Sequence, residues 1–314
     1  MKIGIIGCGN HAQHHARTYG KYFTTYVVWD LEPSAMELIP SVKKAQTLEA
    51  LLDDPGVEAV MICSPDKNHL DQTKKAIAAG KHVFCEKPLL VPGEDINLLE
   101  AVLDLAATKR LVISTCHPRR YDKPFRWLKD GLPGLIEKLG PPVNFNFDFS
   151  YHKPTSAWKH GRSLLLDHLN HEVDLMNYLF GIQGFEAWKL NDSFDQYDVV
   201  GRRDDGITFN MNGTRRLVAD AFPEWCRVRF DQGEVIIDMM MGDAHILSHE
   251  TGRTELVPKL GIDYEGRLDG VMHDFFSQIR DRTPGYISRS EMLMNTEAGI
   301  VLQNNGLQKI SIRP

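Results

Sequence analysis

Short apolar runs alternate with amphipathic helical patterns through the first part of the chain. Strand-like runs cover residues 2–6, 26–29, 57–62, 81–84 and 111–115, and helical patterns cover 10–19, 67–79 and 94–108. Short strands rich in Val and Ile that are separated by helices predict a parallel, doubly wound α/β sheet. The crossovers of such a sheet are expected to be right-handed.

The pattern changes after His117-Pro118. Residues 143–151 alternate with period two, which predicts a strand with one buried face. Turn signals at Asp204-Asp205-Gly206, Asn212-Gly213 and Asp231-Gln232-Gly233 separate further strands. The predicted strands cover 185–190, 195–202, 207–211, 216–222, 225–230, 234–240 and 243–248, and the predicted helices cover 167–180, 267–280 and 290–304.

These patterns predict two domains. Residues 1–118 form a domain on the parallel sheet, and residues 119–314 form a second domain on an open, mostly antiparallel sheet flanked by helices. The class is therefore α/β followed by α+β. The length of 314 residues suits two domains of ordinary size.

Composition narrows the class of partner. The formal net charge of −6 argues against broad nucleic-acid binding, which needs a positive field. The apolar run at the N-terminus is too brief for a signal peptide, and no run approaches the roughly 20 residues of a membrane helix. The five cysteines form no CxxC pair, which indicates reduced thiols and a cytoplasmic protein.

A glycine motif opens the first predicted helix. Gly7, Gly9 and Ala12 form G-x-G-x-x-A directly after the first strand, with Asn10 and His11 between them. The first glycine permits the tight turn, the second lets the backbone approach a diphosphate, and the small third residue allows close packing. The start of the helix then offers N–H groups to the phosphates.

Asp30 ends the second predicted strand and indicates the type of dinucleotide. An acid at this place accepts hydrogen bonds from the ribose hydroxyls and repels a 2′-phosphate. Because Leu31, Glu32 and Pro33 follow without Arg or Lys, the sequence favours NAD over NADP. Asp30 could also cap the helix that begins at Pro33.

Further candidate residues follow later strands, where the loops of a Rossmann sheet meet the ligand. Ser64 and Pro65 come after the strand at 57–62, and His69 follows as either a cofactor contact or a packed helix residue. Glu86 and Lys87 end the strand at 81–84, beside the expected nicotinamide. A lysine there could bind a substrate oxygen and stabilise alkoxide character.

The helix predicted at 167–180 begins with a set of acid/base residues. Asp167, His171 and Asp174 have i, i+4, i+7 spacing and share a face. A carboxylate beside an imidazole forms a tunable acid/base unit, although helix capping and solvent exposure are the plain alternative. His168 with His171, and His11, His14 and His15, have spacings that zinc could use, but no further ligands accompany them. We therefore expect no metal.

Three stretches together resemble the Gfo/Idh/MocA family of oxidoreductases, named after glucose–fructose oxidoreductase and inositol 2-dehydrogenase. The first is residues 2–12 with Asp30, and the second runs from 60–69 through Ala78-Ala79-Gly80-Lys81-His82-Val83 to Glu86-Lys87-Pro88. The third is Asp167-x-x-x-His171-x-x-Asp174. The chain departs from the family where leucines occupy 164–166 and 169 in place of frequent glycines, which indicates a bulkier substrate loop.

The resemblance implies hydride transfer between NAD(H) and a hydroxyl or carbonyl carbon of a sugar, polyol, sugar acid or sugar nucleotide. It implies that Lys87 and His171 are the catalytic lysine and histidine and that Asp167 binds substrate or assists. Which of Lys87 and His171 acts as the base stays open. The resemblance also places Glu86 beside the nicotinamide and Asp174 just behind the catalytic pair, and it implies that Asp174 contacts substrate together with Asp167 and His171.

The same resemblance indicates substrate contacts and partners. Arg120 and Tyr121 match the segment that leads into the substrate domain, and the open sheet face of the family commonly forms dimers or tetramers. Two alternatives remain at this stage. One is a family glycoside hydrolase that oxidises its substrate transiently with tightly held NAD, and the other is an NAD-binding regulatory protein without catalysis.

Overall fold

The computed structural model describes residues 1–152, 163–191, 193–216, 223–304 and 306–312. The chain divides into two compact units. The first unit comprises Met1–His117 and Leu268–Thr296, and the second comprises Pro118–Arg267 and Glu297–Pro314. No helix within the described ranges combines the length and apolar character needed to cross a membrane.

The first unit contains a six-stranded sheet in the order β3-β2-β1-β4-β5-β6, and all neighbouring strands are parallel. This arrangement confirms the predicted doubly wound sheet and has the strand order of a Rossmann fold. Its elements are β1 (Lys2–Ile6), α1 (Asn10–Thr18), β2 (Thr24–Trp29), β3 (Lys43–Lys44), α2 (Leu48–Leu52), β4 (Ala59–Ile62), α3 (His69–Ala78), β5 (His82–Cys85), α4 (Ile96–Thr108) and β6 (Ile113–Thr115).

Burial explains why the central strands of this sheet could be recognised from sequence. Every residue of β4 is buried, and β1 is buried except at its first residue. Strands that helices cover on both faces are almost continuously apolar. The short elements β3 and α2 were not predicted, because two and five residues are too few to show a period.

The second unit begins with a long helix and then forms most of its sheet. Its elements are α5 (Lys123–Leu139), β7 (Pro142–Ser150), α6 (Leu164–Phe180), β8 (Phe185–Lys189), β9 (Gln196–Arg203), β10 (Thr208–Thr214), β11 (Glu224–Phe230), β12 (Gly233–Asp238), β13 (Asp243–Ser248) and β14 (Thr254–Val257). After them follow α7 (Tyr264–Asp281), α8 (Arg289–Val301) and β15 (Gly306–Ile310).

The sheet of the second unit has nine strands in the order β14-β13-β12-β11-β7-β10-β9-β8-β15. The β7–β10 pair is parallel and the other pairs are antiparallel, which confirms a mostly antiparallel sheet. Phe145, Phe147 and Phe149 of β7 are buried on one face. Helix α6 packs against β9 and β10, and α5 packs against β12 and β13.

In the second unit, one helix was missed and one predicted turn was wrong. Helix α5 was not predicted, because Gly131, Pro133 and Gly134 lie inside it and obscure its buried leucines. Asn212-Gly213 is not a turn but part of β10. A Cβ on Gly213 would lie 2.3 Å from Phe149 Cε1 and 2.6 Å from Tyr197 Cε1, so the glycine makes room for two rings. Of the strand predicted at 216–222, all but the first residue lies outside the described ranges.

The segment Leu268–Thr296 packs within the first unit, whereas the predicted division gave all residues after 118 to the second domain. Phe275 contacts Phe84 of β5 edge to face, with ring centroids 5.7 Å apart. Phe276 stacks on Tyr22 at 6.0 Å, and the Tyr22 hydroxyl donates a hydrogen bond to Asp269. The apolar face of α7 therefore completes the core of a unit that is distant in sequence.

Candidate functional site

The glycine turn between β1 and α1 has the geometry that a diphosphate needs. Gly7 has φ +85°, and a Cβ there would lie 2.5 Å from the backbone nitrogen of Ser64. Gly9 is the N-cap of α1, with no side-chain cap, and a Cβ there would meet nothing within 4 Å. Gly9, Asn10 and His11 are exposed, whereas Ala12 is buried. The first N–H groups of α1 therefore start at an open surface.

Asp30 is fixed beside this turn. Its Oδ2 accepts a hydrogen bond of 2.6 Å from the backbone N–H of Cys8, and its Oδ1 accepts one of 2.8 Å from Glu32. Burial and the charge of Asp30 raise the pKa of Cys8 to about 12, so this thiol stays protonated. Asp30, Lys44 and Thr47 are among the residues that line a cavity of about 580 Å³. The carboxylate and cavity fit an adenosine ribose next to the diphosphate turn.

Glu86 and Lys87 follow β5, and their environments differ. Glu86 is buried, and its Oε1 lies 2.7 Å from Nε2 of His15 on α1. Burial alone would raise the pKa of Glu86, but the hydrogen bond to His15 and the charges of His15, His11 and Lys87 lower it to about 2. Lys87 is half-buried. The structure thus anchors Glu86 in the core of the unit and leaves Lys87 at its partly open edge.

Ser64, Pro65 and His69 also lie at this edge of the sheet. The Ser64 hydroxyl donates to Gln72 at 2.6 Å, and Pro65 is exposed. His69 is buried, with its ring nitrogens 2.7 Å from the Pro88 carbonyl oxygen and 2.9 Å from that of Ser64. The sequence allowed two interpretations of His69, a cofactor contact or a packed helix residue. Its burial and its two backbone contacts favour the packed residue.

Helix α6 carries the acid/base residues of the second unit. It begins earlier than predicted, because the Ser163 hydroxyl caps it by accepting from the Leu166 N–H at 3.4 Å. Asp167 therefore lies in the first turn. Asp167 and His171 are both half-buried, whereas Asp174 is fully buried. The helix thus keeps the first two residues of the predicted set partly accessible and places the third in the core.

Arg120, Tyr121 and Asp174, which were predicted to bind substrate, are all buried in the second unit. Arg120 donates from Nε and Nη2 to the carboxylate of Asp174 at 2.8 Å and 2.7 Å, and both side chains are buried. Tyr121 is also buried, with the Arg126 guanidinium carbon 5.8 Å from its ring centroid. The pairing has a physical reason, since a charge that leaves water is stable only when it is paired. The role of these residues in binding substrate stays a prediction.

A buried network next to His171 was not identified as such from sequence. Nδ1 of His168 lies 2.6 Å from Glu172 Oε1, and the His168 ring stacks on Phe149 at 3.5 Å. The His168 and His171 rings are 5.4 Å apart at 72°. Arg119 binds Glu224 and lies 3.9 Å from Glu172. Two features of the sequence could have indicated this network. Arg119 stands next to Arg120 as a basic pair, and His168 has a spacing from His171 that zinc could use.

Among the described residues, one group places three metal-ligating side chains together. Atoms of His15, Glu86 and Cys116 lie within 4.8 Å of one another, and all three residues are buried. His15 and Glu86 contact each other directly at 2.7 Å. We therefore interpret His15 and Glu86 as a buried hydrogen-bonded pair.

Comparison with known proteins gives both family and fold. Residues 1–117 match the sequence model of the GFO_IDH_MocA oxidoreductase family, NAD-binding Rossmann fold. Inositol 2-dehydrogenase of Pseudomonas savastanoi pv. phaseolicola is 30% identical over 209 residues, which are 64% of this chain and 57% of that protein. Myo-inositol 2-dehydrogenase of Thermotoga maritima is 26% identical over 275 residues, covering 80% of this chain and 79% of that one.

A solved structure extends the likeness in fold to nearly the whole chain. Levoglucosan dehydrogenase, in complex with NADH and levoglucosan, has a TM-score of 0.82 at 18% identity and covers 99% of both chains. At that identity the likeness shows the fold alone. Membership of the Gfo/Idh/MocA oxidoreductase family is thus shown for residues 1–117, which are its NAD-binding Rossmann domain.

Proposed function

We propose that this protein transfers hydride between NAD(H) and a hydroxyl or carbonyl carbon of a sugar, polyol, sugar acid or sugar-nucleotide-like substrate. The observation that carries the proposal is the open glycine turn at α1 with Asp30 fixed beside it by the Cys8 N–H. The names of its relatives, which are inositol dehydrogenases, support the class of substrate.

The chain's own residues suit this chemistry. The N–H groups at the start of α1 would hold the diphosphate, and the Asp30 carboxylate would accept hydrogen bonds from the ribose. When bound, the nicotinamide dinucleotide supplies or accepts the hydride. Lys87 would donate a hydrogen bond to the reacting oxygen and stabilise its developing charge. His171 would take or give the hydroxyl proton, with Asp167 orienting the ring or the substrate.

The test is an NAD-coupled screen of polyols, sugar acids and sugar nucleotides, followed by kinetics of Lys87→Ala and His171→Ala. Each variant should lose at least about 100-fold in kcat, as expected when an acid/base group is removed. NADH binding, measured by fluorescence, should be retained. Lys75→Ala and His249→Ala are matched controls in exposed positions. Near-normal turnover in both active-site variants contradicts the proposal, and net hydrolysis without NADH accumulation indicates the glycosidase alternative.

We further propose that a second copy of the chain covers the outward face of the nine-stranded sheet, giving a homodimer or homotetramer. Trp188 and Trp225 are 47% and 42% exposed, and Leu307, paired with Trp188 across β15 and β8, is 47% exposed. Large apolar side chains on one open face are typical of an interface. Trp188→Lys should lower the molar mass measured by light scattering, whereas Leu98→Lys on α4 should not. An unchanged mass in Trp188→Lys contradicts this interface.

We place the protein in the cytoplasm. All five cysteines are free, and four of them are buried. Unpaired buried thiols are typical of a reducing compartment. Fractionation of the source cells tests this placement, and recovery of the protein outside the cytoplasm contradicts it.

A further inference from the structure

Two buried histidines hold the residues on either side of Lys87. Glu86 is bound by His15 of α1 at 2.7 Å. The carbonyl of Pro88 is bound by His69, the first residue of α3, also at 2.7 Å. His69 also reaches the carbonyl of Ser64, after β4, at 2.9 Å. Lys87 thus lies in a short segment that is fixed from two helices.

The partners of His69 determine the protonation of its ring. A carbonyl oxygen can only accept a hydrogen bond, so each ring nitrogen that faces one must carry a proton. A neutral imidazole has one N–H and would leave the lone pair of its other nitrogen against an oxygen. His69 is 1% exposed, so bulk water does not replace the missing donor. The side chain of Cys85 is a further hydrogen-bond partner of the ring. Hydrogen bonds from the ring to both carbonyl groups at once require the imidazolium.

We propose that the His69 ring is protonated at neutral pH. The charged ring is then a positioning residue, which binds the carbonyl group next to Lys87 and the carbonyl group of Ser64 and so holds Lys87 in place. Its effect on turnover rests on the function proposed above, whereas its charge and its hold on the segment do not. A charged donor makes shorter and stronger hydrogen bonds than a neutral one. The single ring therefore ties the ends of β4 and β5 together at the edge that carries Lys87.

The surroundings of the ring agree with a cation. Burial by itself would lower the pKa of His69, but the charge of Cys85, the hydrogen bond between Cys85 and the ring, and the hydrogen bonds to the carbonyl groups of Pro88 and Ser64 raise it to about 9. His82 lies at the other end of β5 and shows the contrast. Its Nδ1 accepts a hydrogen bond from the Val112 N–H, and burial and Arg282 lower its pKa. An acceptor nitrogen accompanies a neutral ring, and two donor nitrogens accompany a charged one.

The charge is tested on the full-length wild-type protein by ¹H–¹⁵N correlation NMR of the histidine rings at pH 7.5, with and without NADH. We expect both nitrogens of His69 to be protonated and the ring to titrate near pH 9. His82 serves as the internal control and should show one unprotonated nitrogen. A neutral His69 ring at pH 7.5 overturns the proposal. This measurement needs no variant and is therefore independent of whether a substitution folds.

The hold on the segment is tested by hydrogen exchange of residues 86–90 in His69→Gln and His82→Gln. A glutamine cannot place donors on opposite sides as an imidazolium does, so exchange should accelerate at least tenfold in His69→Gln and not in His82→Gln. If His69→Gln does not fold, His69→Asn is the replacement variant. Unchanged exchange in the folded variant overturns the positioning role, even if the ring is charged.

Kinetics connect the inference to the proposed function. In His69→Gln, kcat should fall at least tenfold while the Kd for NADH changes less than twofold, because Lys87 is displaced and the diphosphate turn is not. Loss of NADH affinity with unchanged kcat would overturn the positioning of Lys87. Absence of NAD-linked turnover in the wild-type protein would count against the proposed function alone, since NMR and exchange would still decide the inference on His69.

Discussion

Arg120 donates hydrogen bonds to both carboxylate oxygens of Asp174, at 2.8 Å and 2.7 Å, and each side chain is almost fully buried. The pair joins the segment before α5 to the middle of α6. These two groups of opposite charge, which the sequence predicted to bind substrate, bind each other within the second unit. Their removal should affect folding before it affects ligand binding.

Asp174→Asn should lower the free energy of unfolding by about 3–5 kcal/mol, because it leaves the Arg120 charge buried without its partner. Urea denaturation measures this loss. Asp281→Asn is the control, since Asp281 pairs with Arg280 in an exposed position and should change stability little. Weaker substrate binding in Asp174→Asn with unchanged stability would contradict this expectation and support the prediction that Asp174 binds substrate.

Glu86 should make stability depend on acid pH. Its pKa in the folded protein is about 2, below the ordinary 4.5, so its contribution is complete above pH 4.5 and is lost as pH falls toward 2. The free energy of unfolding of wild type should therefore decrease more between pH 6 and pH 3 than that of Glu86→Gln. Glu49→Gln, at an exposed position of α2, is the control. Equal dependence of the free energy of unfolding on pH in wild type and Glu86→Gln would show that the contact between Glu86 and His15 contributes nothing to stability.

His69 should make stability depend on alkaline pH. Its folded pKa of about 9 exceeds the ordinary 6.5, so its contribution is complete below pH 6.5 and is lost as pH rises through 9. The stability difference between wild type and His69→Gln should shrink over that range. His82 has the opposite sign, because its lowered pKa makes its contribution present above pH 6.5 and lost as pH falls. A pH-independent difference for His69→Gln would contradict the prediction.

Asp30 should determine the preference between NAD and NADP. Asp30→Ser removes the carboxylate that would bind the ribose and repel a 2′-phosphate, so the ratio of kcat/KM for NADP to that for NAD should rise at least tenfold. The two cofactors are compared in initial-rate assays with the substrate found by the screen. Asp71→Asn on α3 removes one exposed negative charge as a control. An unaltered ratio in Asp30→Ser would place the discrimination elsewhere.

Gly213 should tolerate no side chain. Gly213→Ala would bring a Cβ within 2.3 Å of the Phe149 ring and should cost about 1–3 kcal/mol in the free energy of unfolding. Gly131 in α5 is the matched control, because a Cβ there meets nothing within 4 Å. Gly131→Ala should stabilise the protein by up to about 1 kcal/mol through helix propensity. Similar effects of the two substitutions in urea denaturation would refute the packing argument.

Local sequence signals were sufficient where the structure repeats a short period. The strands β1, β4 and β5 and the glycine turn were predicted closely, because buried strands are apolar and a tight turn needs glycine. Helix α5 was missed because Pro133 lies within it, and proline normally indicates a helix end. Asn212-Gly213 was wrongly predicted as a turn, because the sequence does not distinguish a glycine needed for a turn from one that makes room for neighbouring rings.

The sequence alone determined the parallel sheet, the open start of α1, the position of Asp30 after β2 and the family. Tertiary structure alone decided that Glu86 pairs with His15, that Arg120 pairs with Asp174 and that His69 bridges two carbonyl groups. The physical reason is the range of the interactions. Periodicity and turn conformation depend on neighbours a few residues away. The partner of a buried polar group is instead set by packing between distant segments, which are 71 residues apart for His15 and Glu86 and 54 residues apart for Arg120 and Asp174.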